Sequence, residues 1–209
     1  MSDVHLIKHP LLQHKLTLVR KRETGAKEFR ELIAEIASIM IYEATRDLPL
    51  QEVSIRTPLC QTESSILRED KLTVVPILRA GLGMVEGVLK FFPAARVGHV
   101  GIYRHPETLE AVEYYCKLPA ETAGQEVIIL DPMLATGHSA AAAISAVTER
   151  GADVFRLISI LAAPEGIDYL QEKHPEVDVY TAAIDQGLDE KSYIVPGLGD
   201  AGDRLYGTK

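Results

Sequence analysis

Between Lys27 and Thr45 the apolar residues Phe29, Leu32, Ile33, Ile36, Ala37, Met40, Ile41 and Ala44 recur at helical spacing, with Arg30, Glu31, Glu35 and Glu43 between them. That spacing predicts an amphipathic helix with one face on a core. Downstream the pattern changes to short apolar runs bounded by turn or helix signals. Leu72 to Leu78, Ala95 to Ile102, Glu126 to Leu130, Val154 to Leu161 and Val177 to Ile184 read as buried strands. Helical stretches at Leu82 to Phe92, Ser139 to Arg150 and Gly166 to Lys173 separate several of them, and Gly151 stands where a helix C-cap is expected. Strands alternating with helices imply an α/β fold whose central, mainly parallel sheet is flanked by helices. From Tyr103 to Leu118 polar and apolar residues interchange around Arg104-His105-Pro106-Glu107, the pattern of a projecting β-hairpin (about 103–118) able to act as a lid. The last segment, about 185–209, carries Gly187, Gly197, Gly199, Gly202 and Gly207 with little periodicity, more glycine than packing asks for. No repeat or low-complexity stretch divides the chain, so one domain over 1–209 is expected.

Composition narrows the function classes. With 209 residues, 46% hydrophobic and 25% charged, the chain can bury a full core. A net charge of −8 repels a nucleic-acid backbone, whereas a small anionic substrate needs only a local cluster of donors. The longest apolar stretches, such as Leu157 to Ala163, are far too short to cross a bilayer, and no basic-then-apolar leader opens the chain. A cytoplasmic protein with no nucleic-acid or membrane partner is expected. Cys60 and Cys116 lack metal-ligand spacing and are too few for a disulfide framework, so they read as buried, inert thiols in a reducing compartment. His5 and His9 have helical spacing but no third ligand and read as solvated; no metal-ligating residue is assigned. Glu149-Arg150 and Glu172-Lys173 read as solvated helix faces, and Tyr114-Tyr115 as lid packing.

The most informative segment is the strand Val127 to Leu130 running into Asp131-Pro132-Met133-Leu134-Ala135-Thr136-Gly137-His138-Ser139 and then an Ala-rich helix. Beyond the carboxyl end of a parallel strand, a helix N-terminus offers unpaired N–H groups and partial positive charge to an anion. Thr136 and Ser139 add hydroxyl donors, Gly137 permits close backbone approach, and Asp131 can accept from sugar hydroxyls. A Thr-Gly pair alone is an ordinary turn; the whole segment is more specific. It resembles the phosphoribosyl pyrophosphate (PRPP) loop of type I phosphoribosyltransferases. Asp131 followed by Pro132 rather than a second acid is similar to the uracil phosphoribosyltransferase form. By that resemblance 131–139 hold PRPP, with His138, where many members have a second glycine, contributing through its main chain.

A second strand, Val74 to Leu78, ends in Arg79-Ala80-Gly81-Leu82-Gly83, where Arg79 can grip phosphate oxygens bidentately. The resemblance makes this the pyrophosphate loop, with a non-proline cis bond expected at Arg79-Ala80, and adds Arg104 as a second pyrophosphate contact. The run Tyr193 to Arg204 resembles the uracil-binding hood of the family. By that match Ile194, Gly199, Asp200 and Ala201 contact uracil, largely through backbone, while Asp200 also lies against the phosphoribosyl group. Displacement at the anomeric carbon needs the leaving charge stabilised and the uracil nitrogen placed. Arg79 and Asp200 are therefore the catalytic candidates, Asp200 also as a possible base, with Mg2+ carried mainly by PRPP. The resemblance further implies a homodimer or higher homo-oligomer and allows a GTP effector. An RNA-binding regulator on the same fold is disfavoured by the net charge, and a purine or other pyrimidine transferase by Pro132 and the Gly199-Asp200-Ala201 hood.

Overall fold

The computed structural model describes residues 3–104, 111–120 and 125–208, and of Arg104, Val154 and Phe155 the backbone alone. In chain order the strands are β1 (Val4–Leu6), β2 (Leu50–Arg56), β3 (Gln61–Leu67), β4 (Leu72–Leu78), β5 (Arg96–Val97), β6 (His99–Arg104), β7 (Ala111–Lys117), β8 (Glu126–Leu130), β9 (Met133–Leu134), β10 (Val154–Ala162), β11 (Asp178–Ile184), β12 (Gly187–Leu188) and β13 (Ile194–Val195). The helices are α1 (Pro10–Arg20), α2 (Ala26–Ala44), α3 (Leu82–Leu89), α4 (His138–Thr148), α5 (Pro164–Lys173) and α6 (Ala201–Tyr206).

The main sheet runs β1-β11-β10-β8-β4-β6-β7, with β5 beside β4 and β9 beside β10. Its pairings are parallel except β6 with β7. Both faces are covered, which is why the strands read as unbroken apolar runs. In β8, Ile128 and Leu130 join Phe29, Ile33 and Met40 of α2, while Val127 and Ile129 turn to Ile144 and Val147 of α4. This layering brings the carboxyl ends of β4, β8 and β10 to one edge of the molecule, where their loops meet.

The alternating elements fall within a few residues of their expected bounds, and Gly151 takes the left-handed φ of +82° just past α4. The expected strand from Ala95 to Ile102 is interrupted at Gly98, whose N–H bonds Val74 O at 3.0 Å and where a Cβ would crowd Leu118 and Val75. The hairpin exists as β6 and β7 but begins at His99 and extends the sheet edge; its turn, 105–110, lies outside the described residues. Tyr114 packs over Gly101 and its ring lies 6.2 Å from that of Tyr103.

Several features depart from the sequence expectations. Helix α1 adds an element to those expected: Pro10 opens it, His9 Nδ1 accepts from Leu11 N at 3.2 Å, and Leu12, Leu16 and Val19 fall on one buried stripe. His5 lies in β1 and His9 caps α1, so the two share no helix face. The hairpin β2–β3 is a second addition, and its side chains are mostly exposed and carry no core pattern. Cys60 sits in its turn, at the end of the hairpin away from the core, and is exposed rather than buried; Cys116 is half-buried. Arg150, too, is not merely solvated: it bonds Glu113 at 2.7 and 3.1 Å, tying α4 to β7.

Candidate active site

The loop after β8 owes its shape to its neighbour β10. Asp131 N bonds Ile158 O at 3.1 Å, Leu161 N bonds Pro132 O at 3.1 Å, and Ala163 N bonds Leu134 O at 2.9 Å. The fully buried Ser159 completes the seam, its hydroxyl accepting from Leu134 N at 2.9 Å and donating to Leu161 O at 3.0 Å. A serine inside the apolar run Leu157 to Ala163 was the available signal for this support, because a buried hydroxyl must find partners. The loop then turns at Gly137, whose φ of +80° few other residues adopt, and α4 begins with Ala141 N bonding Gly137 O at 2.9 Å.

Two cavities open at this edge. One, of about 210 Å³, is lined by Ile77, Leu78, Arg79, Ala80, Ile102, Asp131, Met133, Leu134, Ala135, Thr136, Gly137, Ser139 and Ala140. The other, also about 210 Å³, is lined by Ala80, Asp131, Met133, Ala135, Ser192, Tyr193, Ile194, Gly199, Asp200, Ala201 and Gly202. They share Ala80, Asp131, Met133 and Ala135, so the three motifs read from the sequence converge on two adjoining chambers.

Pro132 is buried behind the loop and lines neither cavity. His138 also lines neither: its ring packs on Tyr169, centroids 4.2 Å apart. The Arg104 side chain lies outside what is described. The non-proline cis bond is Leu78-Arg79, one residue before the expected Arg79-Ala80. The reason is local: Arg79 and Ala80 already belong to the turn into α3, with Leu82 N bonding Arg79 O at 3.2 Å and Gly83 N bonding Ala80 O at 3.1 Å.

Electrostatically the junction is unusual. Burial pushes the Asp131 carboxyl up to about 7, opposed by one long bond from Met133 N to Oδ1 at 3.4 Å. Asp200 is differently placed. It is exposed and caps α6, its Oδ1 accepting from Asp203 N at 2.8 Å.

The C-terminal segment is held by cations that sequence reading passed over. Arg20 of α1 bonds both oxygens of Asp185 at 2.6 and 2.7 Å and Gly197 O at 2.8 Å, while Asp185 accepts from Gly197 N at 2.9 Å. Arg204 reaches back to Val19 O at 2.7 Å, Lys21 O at 2.6 Å and Leu198 O at 2.8 Å, its guanidinium lying 4.2 Å from the Phe29 ring centroid. Tyr206 bonds Arg79 O at 3.0 Å and lies beneath the Arg79 guanidinium, joining the last helix to the loop after β4. Such partners are far apart in sequence and leave no local motif. Among the described residues no cluster of His, Cys, Asp and Glu could hold a metal by itself, and no helix is long and apolar enough to cross a membrane.

Known proteins resemble the chain throughout its length. The family described as uracil phosphoribosyltransferase matches residues 6–208. Proteins named uracil phosphoribosyltransferase from a Thermoanaerobacter species and from Clostridium tetani are each 59% identical, over 100% of this chain and 99% and 100% of their own lengths. The structure of the AQ2163 protein from Aquifex aeolicus matches with a TM-score of 0.91 at 40% identity, covering 97% of each chain. At 14% identity, an adenine phosphoribosyltransferase from Trypanosoma brucei shares the fold, with a TM-score of 0.60 over 96% of this chain and 89% of its own. On its own loops and on this likeness over its whole length, the chain belongs to the uracil phosphoribosyltransferase family.

Proposed function

We infer that the protein transfers the 5-phosphoribosyl group of PRPP to uracil, giving UMP and diphosphate. The observation that carries this reading is the pair of cavities meeting at Asp131: one is built for phosphate, the other is roofed by glycine-rich backbone. The 5′-phosphate sits at Thr136, Gly137 and Ser139, where α4 presents its first N–H groups. Met133, Leu134 and Ala135 form the wall beneath the ribose, Asp131 accepts from its hydroxyls, and Pro132 and His138 act through the backbone. Arg79, with Arg104, takes the pyrophosphate. Ile194, Gly199, Asp200 and Ala201 enclose uracil, whose carbonyls and imide N–H match main-chain donors and acceptors.

Displacement at C1′ then proceeds in a preorganised cleft. Arg79 offsets charge as it develops on the leaving group, and the C-terminal hood holds the nucleophilic nitrogen in line. Mg2+ carried with PRPP, needing few protein ligands, would supply positive charge that helps Arg79 to offset the charge on the leaving group. The negative chain and its unpaired cysteines suit small-molecule chemistry in the cytoplasm.

Offering uracil, cytosine, hypoxanthine and orotate with PRPP and Mg2+ tests the reading. UMP from uracil alone is the expected outcome; turnover with a different base would overturn the assignment of the hood.

A homo-oligomer is part of this proposal. An isolated two-stranded hairpin is marginal in water, yet β2–β3 extends with Val53, Ile55 and Ile66 on one face and Leu59, 95% exposed, at its turn. Tyr42 and Phe91 form an exposed aromatic pair between α2 and the end of α3, ring centroids 6.5 Å apart. Both features suit burial against a second copy. Sedimentation equilibrium is expected to show a dimer or larger species that dissociates in an Ile55→Glu/Leu59→Glu double variant. A wild-type monomer would sink the idea.

A further inference from the structure

We propose that Asp131 is the proton acceptor for the attacking nitrogen of uracil. The inference rests on the transfer reaction above and adds a role to a residue so far assigned only to the ribose.

Uracil must lose its N1 proton as N1 bonds to C1′, and two carboxylates face the chamber assigned to the base: Asp131 and Asp200. Their environments separate them. Asp200 is exposed and spends Oδ1 on the α6 cap, a bond that fixes its carboxylate at the helix start. Asp131 stands where the two cavities join, so it alone of the pair borders both the sugar and the base chamber. Among the described residues the only hydrogen bond to its carboxylate is the long one to Oδ1, so Oδ2 has no protein partner there. The enclosed setting raises its proton affinity toward neutrality, where a general base works best. No cation pairs with it among the described residues.

The step balances. The N1–H bond breaks and its proton passes to Asp131 Oδ2; the N1 electron pair forms the N1–C1′ bond; the C1′–O bond breaks and its electrons leave on diphosphate. The proton on Asp131 returns to solvent as products depart. One carboxylate oxygen can hold a ribose hydroxyl while the other receives this proton.

A nucleophile that sheds its proton more readily separates this role from ribose binding. 5-Fluorouracil has a more acidic N1–H than uracil. In Asp131→Asn, kcat with uracil is expected to fall at least tenfold further than kcat with 5-fluorouracil, with PRPP affinity measured alongside. In Asp200→Asn the two substrates should lose equally. Equal losses in Asp131→Asn, in an enzyme that makes UMP, would overturn the proposal and leave Asp131 a ribose ligand. Absence of UMP from the wild-type enzyme would instead overturn the assigned reaction.

Discussion

Replacing Asp131 by Asn is expected to raise the melting temperature at pH 8 while reducing turnover with uracil by about two orders of magnitude, the range of a general-base contribution. The sign follows from linkage. The carboxyl titrates near about 7 in the folded protein against 3.8 in its ordinary state. Below that ordinary value both folded and unfolded chains hold the proton, and the group contributes nothing. Between the two values the unfolded chain ionises and the folded one does not, so stability falls as pH rises, by about 1.4 kcal/mol per unit at most. Above about 7 the penalty is complete. Partial exposure reduces it, leaving an effect on the order of 2 kcal/mol, which corresponds to several degrees for a chain of this size. Thermal unfolding from pH 4 to pH 8 checks this: the variant's advantage should vanish at the acid end and grow through neutrality. An equal difference at both ends would mean that the stabilisation has a different source. A site that trades stability for reactivity behaves in this way.

Gly166→Ala is expected to raise KM for PRPP by tenfold or more and to destabilise the protein by about 1–3 kcal/mol. Gly166 lies in the first turn of α5, directly behind the loop after β8. A Cβ there would collide with the carbonyl oxygen of Ala135 and stand 2.8 Å from Leu134 O and 3.0 Å from Ala135 C. Those are backbone atoms, so no side-chain rotation relieves the contact; either α5 or the loop must move. Gly137 meets the same helix from the other side, since a Cβ on it would lie 2.7 Å from Gly166 O. Gly151→Ala is the control. Its φ of +82° imposes a backbone cost of about 1–2 kcal/mol, but nothing lies within 4 Å. Steady-state kinetics should show KM for PRPP unchanged in Gly151→Ala and raised in Gly166→Ala, with KM for uracil moving less in both. If the two variants behave alike, loop displacement is not the cause.

The pattern of hidden and visible features has a physical basis. Strands β4, β8, β10 and β11 were legible because a parallel sheet covered on both faces demands uninterrupted apolar residues. The loops at Arg79 and at 131–139 were legible because a strand running through a glycine-bearing turn into a helix start leaves a compact local motif. Helix α1 carries a stripe of only three buried residues, Leu12, Leu16 and Val19, against nine in α2. Hairpin β2–β3 carries only a short apolar set, Val53, Ile55 and Ile66, on a face that stays largely exposed in one chain.

The amino-acid order by itself determined the α/β layering, the two loop motifs and the family resemblance, since each is carried by short local segments. Only the tertiary structure decided what those pieces do to one another. It made the two cavities adjoin at Asp131, turned His138 away onto Tyr169, committed Asp200 to a helix cap, and tied the C-terminal segment to α1 through Arg20 and Arg204. The proton affinity of Asp131 belongs to this second group. It depends on what encloses the carboxyl and which partners are missing, and those are set by chain segments distant in sequence brought together when the sheet forms.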